Sequence, residues 1–127
     1  MRDETSRVRA PVSAACADGD HDLLTLAAKA AGLDIDFGDR LVDGSNAVCY
    51  FNRGDGEFWN PLVDDGDVLR LAVKLRIKFF INEPCVYAGR VSDAGIVSVF
   101  EEFVDDPLAA TRRAIVRAAA EIGRSMP

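Results

Sequence analysis

The chain has little of what most catalytic and metal-binding chemistries need. It carries one histidine, His21, and three cysteines, Cys16, Cys49 and Cys85, far apart in sequence. Without a second histidine or a close cysteine pair, zinc sites of the usual kinds are disfavoured. A Ser-His-Asp or Cys-His system would have to use His21, near the start of an expected helix. There the positive end of the helix dipole disfavours the imidazolium. No glycine-rich loop of the Walker or dinucleotide type is present, and Gly54-Asp55-Gly56-Glu57 is too short and too acidic to cradle phosphate. No apolar run approaches the roughly 20 residues that a bilayer span needs. No apolar segment follows Arg2, Arg7 and Arg9, so a signal peptide is not expected. These absences point to a cytoplasmic address, away from membranes. There is no internal repeat and no low-complexity segment.

Positive charge is also scarce. Lys and Arg number 15 against 21 Asp and Glu, a net charge of −6. That balance argues against general nucleic-acid binding, which needs a cationic surface. An odd cysteine count with no short pairing fits reduced thiols. Cys49 and Cys85 sit in strand-like apolar runs and read as small core hydrophobes.

What is present reads as one globular domain. The length of 127 residues, with 49% hydrophobic and 28% charged residues, is ordinary for a single unit. Residues 1–19 lack periodicity and read as a loose tail, leaving 20–127 as the domain. A first helix is expected from about Asp20 to Ala31, capped by Asp20 and stopped by Gly32 in a left-handed conformation. Between Leu33 and Phe58 only Ala47 to Phe51 reads as a strand. The rest is expected to be an irregular excursion with turns at Asp43-Gly44 and Asp55-Gly56. A second helix begins near Asp65 with Asp64 as its N-cap and Asp65 and Asp67 in the first turn, where negative charge is favourable. Val68, Leu69, Leu71, Ala72, Val73 and Leu75 cover about half its circumference, which predicts a helix buried on two sides, or against a sheet and a partner chain.

Three strands follow: Ile77 to Ile81, Cys85 to Val91 and Ile96 to Phe103. Short turns at Asn82-Glu83-Pro84 and Ser92-Asp93-Ala94-Gly95 make them an antiparallel meander. Val97, Val99 and Phe103 fall on one face of the third strand, Ile96 and Phe100 on the other, so a sheet partly covered on both sides is expected. The last helix starts at Asp106-Pro107, a capping residue followed by proline at the first helical position. Leu108, Thr111, Ile115, Ala118, Ala119 and Ile122 form its apolar stripe, Arg113, Arg117 and Arg124 its polar face, and Gly123 its end. Glu121 is placed to pair with Arg117. The order predicts an α+β fold: a three-layer α/β/α sandwich with a mostly antiparallel sheet of about four strands and three helices.

Two features could carry function. Asp64, Asp65 and Asp67 could hold Mg²⁺ or Ca²⁺, which want several oxygens converging on one point. Their spacing does not match a calcium loop, and helix capping explains the same residues more simply. Trp59-Asn60-Pro61 could be a recognition surface, since tryptophan is a common interface anchor. The simpler reading packs Trp59 beneath the second helix and has Asn60 and Pro61 shape the turn. The candidate interaction surface is thus Trp59, Asn60, Pro61, Asp65 and Asp67. No catalytic, cofactor-binding or metal-ligating set is assigned, and no cofactor is expected. The arginine stripe of the last helix reads as a solvated face. Arg53-Gly54-Asp55 matches a cell-adhesion tripeptide by chance.

Three segments carry a family resemblance: Trp59 to Leu75 (WNPLVDDGDVLRLAVKL), Thr111 to Gly123 (TRRAIVRAAAEIG) and Asp22 to Gly32 (DLLTLAAKAAG). They cover about a third of the chain, spread over all three expected helices, and resemble the phage ABA sandwich domain family. The resemblance implies a small protein of a tailed phage or prophage, working in the host-cell cytoplasm, with a sheet between helices. The family is largely uncharacterised, so the resemblance brings no catalytic residues with it. Two departures stand out: a long N-terminal extension, and Val63 where Thr is more usual. The expectation is a non-enzymatic accessory protein that binds a host or phage protein, or a second copy of itself. The alternative is a small divalent-metal-dependent hydrolase or nucleotide-handling enzyme built on Asp64 to Asp67.

Overall fold

A computed structural model describes residues 18–42, 45–93 and 95–127. Among them three helices and five strands, in two antiparallel sheets, pack together as an α/β/α-like sandwich. In chain order they are α1 (Asp18–Ala31), β1 (Ile35–Val42), β2 (Ser45–Asn52), α2 (Asp65–Leu75), β3 (Lys78–Asn82), β4 (Cys85–Ser92), β5 (Gly95–Glu102) and α3 (Pro107–Arg124). The first sheet is the β1–β2 hairpin and the second the meander β3–β4–β5.

The helix ends follow local chemistry. Gly32, at φ 71°, ends α1, with Leu33 N–H bonded to Ala28 C=O and Gly32 N–H to Lys29 C=O. α2 closes the same way, but the left-handed position is held by Arg76, at φ 58°. Its bonds run from Ile77 N–H to Ala72 C=O and from Arg76 N–H to Val73 C=O. The Arg90 guanidinium adds a donor to Leu75 C=O at 2.9 Å. Asp106 accepts from Ala109 N–H at 3.0 Å, with Pro107 at the helix start.

α3 is the central element. Ala110, Ala114, Ile115, Val116, Ala118, Ala119, Ala120 and Ile122 are buried around most of its circumference. Small side chains let neighbours approach from two sides: α1 and α2 on one, the meander on the other. Gly123 does not end the helix. It lies inside α3, where an added Cβ would sit 2.1 Å from the Leu26 carbonyl oxygen of α1. The helix buried on two sides is therefore α3 and not α2, which leaves Leu69 and Val73 exposed.

Other expectations are corrected. Asp18 and Gly19 belong to α1, so the expected tail overlaps the helix, and residues 1–17 lie outside the described residues. Asp20 is not a cap: it lies within the helix and accepts from Arg113 at 2.8 Å. The stretch read as irregular contains β1, paired with β2 from Ile35↔Asn52 to Val42↔Ser45. Polar Asp36, Gly38, Asp39 and Arg40 hide its alternation, and its partner supplies the order. The turn at Asp43-Gly44, Cys16 and the Cys49 side chain fall outside what is described. Arg117 pairs with Glu101 of β5 rather than with Glu121, which meets Arg124 at 3.2 Å.

The meander is covered on one face. Val86 and Ala88 of β4 are buried toward α3, flanked by half-buried Val97 and Val99. The other face stays open among the described residues, so the expectation of cover on both sides does not hold. Cys85 lies on that open face, half-buried, and not in the core.

Candidate functional site

The segment from Trp59 to Arg70 is a densely hydrogen-bonded turn and helix start. Trp59 N–H continues the β2 edge by donating to Tyr50 C=O, which tucks the indole into the core. Asn60 then makes a tight Asx turn, its Oδ1 accepting from Leu62 N–H at 3.0 Å and its C=O from Asp64 N–H at 2.9 Å. Asp64 caps α2 by accepting from Asp67 N–H at 2.8 Å. Asp67, buried, reaches back to accept from Asn60 N–H at 2.9 Å. A capping box would send that carboxylate to the N-cap N–H. Here that N–H is already bonded to Asn60 C=O, so the carboxylate serves Asn60, seven positions before it. Its second oxygen takes Arg70 at 2.8 Å.

Asp65 points away from this unit and accepts from Arg112 of α3 at 2.7 Å, while Arg112 Nε donates to Leu62 C=O at 2.9 Å. Arg112 therefore clamps the turn to α3. The sequence reading missed it, because its partners lie about fifty residues away.

The five candidate residues end in different places. Trp59, Pro61 and Asp67 are buried, Asn60 is half-buried and Asp65 is exposed. Trp59, Asn60 and Asp67 line a groove of about 670 Å³ whose other walls include Phe58, Val63 and Lys74. The three acids do not converge: each carboxylate serves a different partner, and among the described residues no cluster of three metal-ligating side chains is present. No helix of the described residues is long and apolar enough to cross a membrane.

Several charged groups elsewhere are paired. Arg53 bridges Asp34 at 3.3 Å and Asp36 at 3.4 Å. Its hydrogen bond to Asp36 and the charges of both carboxylates raise its pKa above its ordinary value, so it stays cationic. Arg113 and Arg117 of the expected solvated stripe reach Asp20 and Glu101. His21 Nδ1 lies 3.1 Å from the buried Tyr50 hydroxyl, beside the Phe37 ring.

A second surface went unnoticed in the sequence. The register Phe80↔Tyr87↔Phe100 lines up three aromatic side chains across the open face of the meander. Phe80 and Tyr87 stack with centroids 5.0 Å apart, and Tyr87 and Phe100 lie 6.0 Å apart. Phe80 is 60% exposed, Phe100 54% and Ile96, on the same face, 75%. Lys78, Asn82, Ser98 and Glu102 form its polar rim. The signal was available, since the two short turns fix the register. Counting back from Asn82–Cys85 and Ser92–Gly95 brings these rings into one row. No family model matches the chain, and no curated protein or solved structure does so.

Proposed function

We propose that this chain is a non-enzymatic protein-binding module whose contact surface is the open face of the meander. The observation that carries this reading is the row Phe80, Tyr87, Phe100, a contiguous aromatic patch with a polar rim. Patches of that kind mark interaction surfaces, and aromatic side chains dominate binding energy where they occur. The rings sit on a sheet backed by α3, so little order is lost when a partner lands on them. The partner fitted to such a face is a protein with its own apolar patch. The resemblance to the phage ABA sandwich family supports a phage or prophage accessory role, with a host or phage protein as the partner. The acidic helix start supports no second reading, because its carboxylates serve the turn and the α3 clamp.

The test compares the unaltered chain with Phe100→Ser as tagged baits in nuclease-treated lysate of phage-infected cells. A stoichiometric protein captured by the first and lost at least tenfold by the second is the expected result. Equal capture by both moves the contact elsewhere. Capture of nothing by either removes the reading.

A further inference from the structure

All five residues of β3, Lys78 to Asn82, are exposed, and among the described residues the strand is a sheet edge, paired with β4 alone. Edge strands are ordinarily protected by proline, bulges or several charges, because their free N–H and C=O groups template another chain. β3 instead carries Phe79-Phe80-Ile81 at its centre and a single charge, Lys78. The direction of its backbone groups follows from the turn. Asn82 and Cys85 flank the two-residue Glu83-Pro84 connection, the position that exchanges hydrogen bonds in a tight hairpin. Alternation then turns Lys78, Phe80 and Asn82 toward β4, and Phe79 and Ile81 outward.

We infer that β3 pairs antiparallel with β3 of a second copy of this chain, about a two-fold axis beside Phe80. Centred there, Phe79 of each copy faces Ile81 of the other, and each such pair exchanges both of its outward hydrogen bonds. Phe80 faces Phe80 across the close, non-hydrogen-bonded position. On the open face the aromatic row runs unbroken from Phe100, Tyr87 and Phe80 of one copy into the same three rings of the other. Charge selects this occupant and this orientation. Exposed Arg76 and Lys78 stand at the start of the strand and exposed Glu83 just past its end. Antiparallel pairing sets Glu83 opposite Ile77 of the second copy, between its Arg76 and Lys78, and does so twice. Parallel pairing would place like charges side by side. The contact is isologous and closes at two copies. It goes beyond the partner-binding reading and does not depend on it, since the backbone edge of β3 carries the pairing and Phe80 is the one side chain of the binding row at that seam.

Sedimentation velocity on the full chain, from about 1 to about 100 μM, suits an interface of this small size. The expected mass rises toward twice the 13.7 kDa of one chain. Ile81→Pro removes one outward N–H while leaving the bonds to β4, and the dimer should be lost at every concentration. Glu83→Lys should weaken pairing roughly fivefold, and the swapped pair Lys78→Glu with Glu83→Lys should restore much of it. Phe80→Cys should cross-link to a dimer under mild oxidation, whereas Val91→Cys, on the same face but distant from the edge, should not exceed the unaltered chain. A monomer throughout overturns the inference. So does a dimer indifferent to Glu83→Lys and cross-linked best through Val91→Cys, which would mean stacked faces. Phe100→Ser lies two strands from the edge and should leave pairing intact, so loss of partner capture and loss of dimer are separate results.

Discussion

α3 and β3 invert the usual relation between size and burial. α3 buries mainly alanines, with Gly123 near its end, and is the most enclosed element. β3 carries two phenylalanines and an isoleucine and is exposed throughout. The difference lies in place, not in hydrophobicity. A central helix must let neighbours approach its backbone on two sides, which favours small residues. An edge strand has one neighbour, so large apolar residues there remain surface. Apolar content alone therefore misplaces the core of this protein, and close approach is the better guide.

The sharpest way to break this comparison is to add one methyl group to α3. Gly123→Ala sets a Cβ against the Leu26 carbonyl and should destabilise by about 3 kcal/mol or more, read as a lower urea midpoint. An unchanged midpoint would mean that α1 and α3 are free to move apart. A smaller effect is expected at the aromatic turn, which adjoins α3 through Arg112. Asp67→Ala removes the acceptor for Asn60 N–H and for Arg70, and should cost about 2 kcal/mol in the same titration. The smallest effect belongs to β3. Phe80→Ser deletes a whole ring yet should shift stability by under about 1 kcal/mol, because the ring is already mostly in water. If Phe80→Ser proved costlier than Gly123→Ala, the contrast between centre and edge would be wrong.

Much of the architecture was legible where the cause is local. Asp64, Asp106-Pro107 and Gly32 mark helix ends because caps and left-handed stops act within a few residues. The meander was legible because two-residue turns leave no other pairing. What escaped was set by distant partners. β1 lacks clean alternation and is ordered by β2. Gly123 reads as a helix stop, and only its contact with α1 shows that it lies inside the helix. The same division runs through the candidate site. The capping role of Asp64 was visible, whereas the bond from Asn60 to Asp67 and the Arg112 clamp depend on how the turn folds back. The aromatic row was hidden in plain register arithmetic, since a strand with apolar residues on both sides suggests cover and not display.

The position of α3 in the chain also has a kinetic meaning. The helices and strands it packs against are synthesised before it, and its ties reach far back: Arg113 bonds Asp20 across 93 residues. Such non-local closure slows folding, because the loop must be closed before the contact rewards it. Until α3 emerges, a growing chain carries the inner side of the meander, Val86 and Ala88 included, without the helix that covers it. The nascent protein is thus sticky on both sides of one sheet, and the arrival of α3 turns one of those sides into an interior.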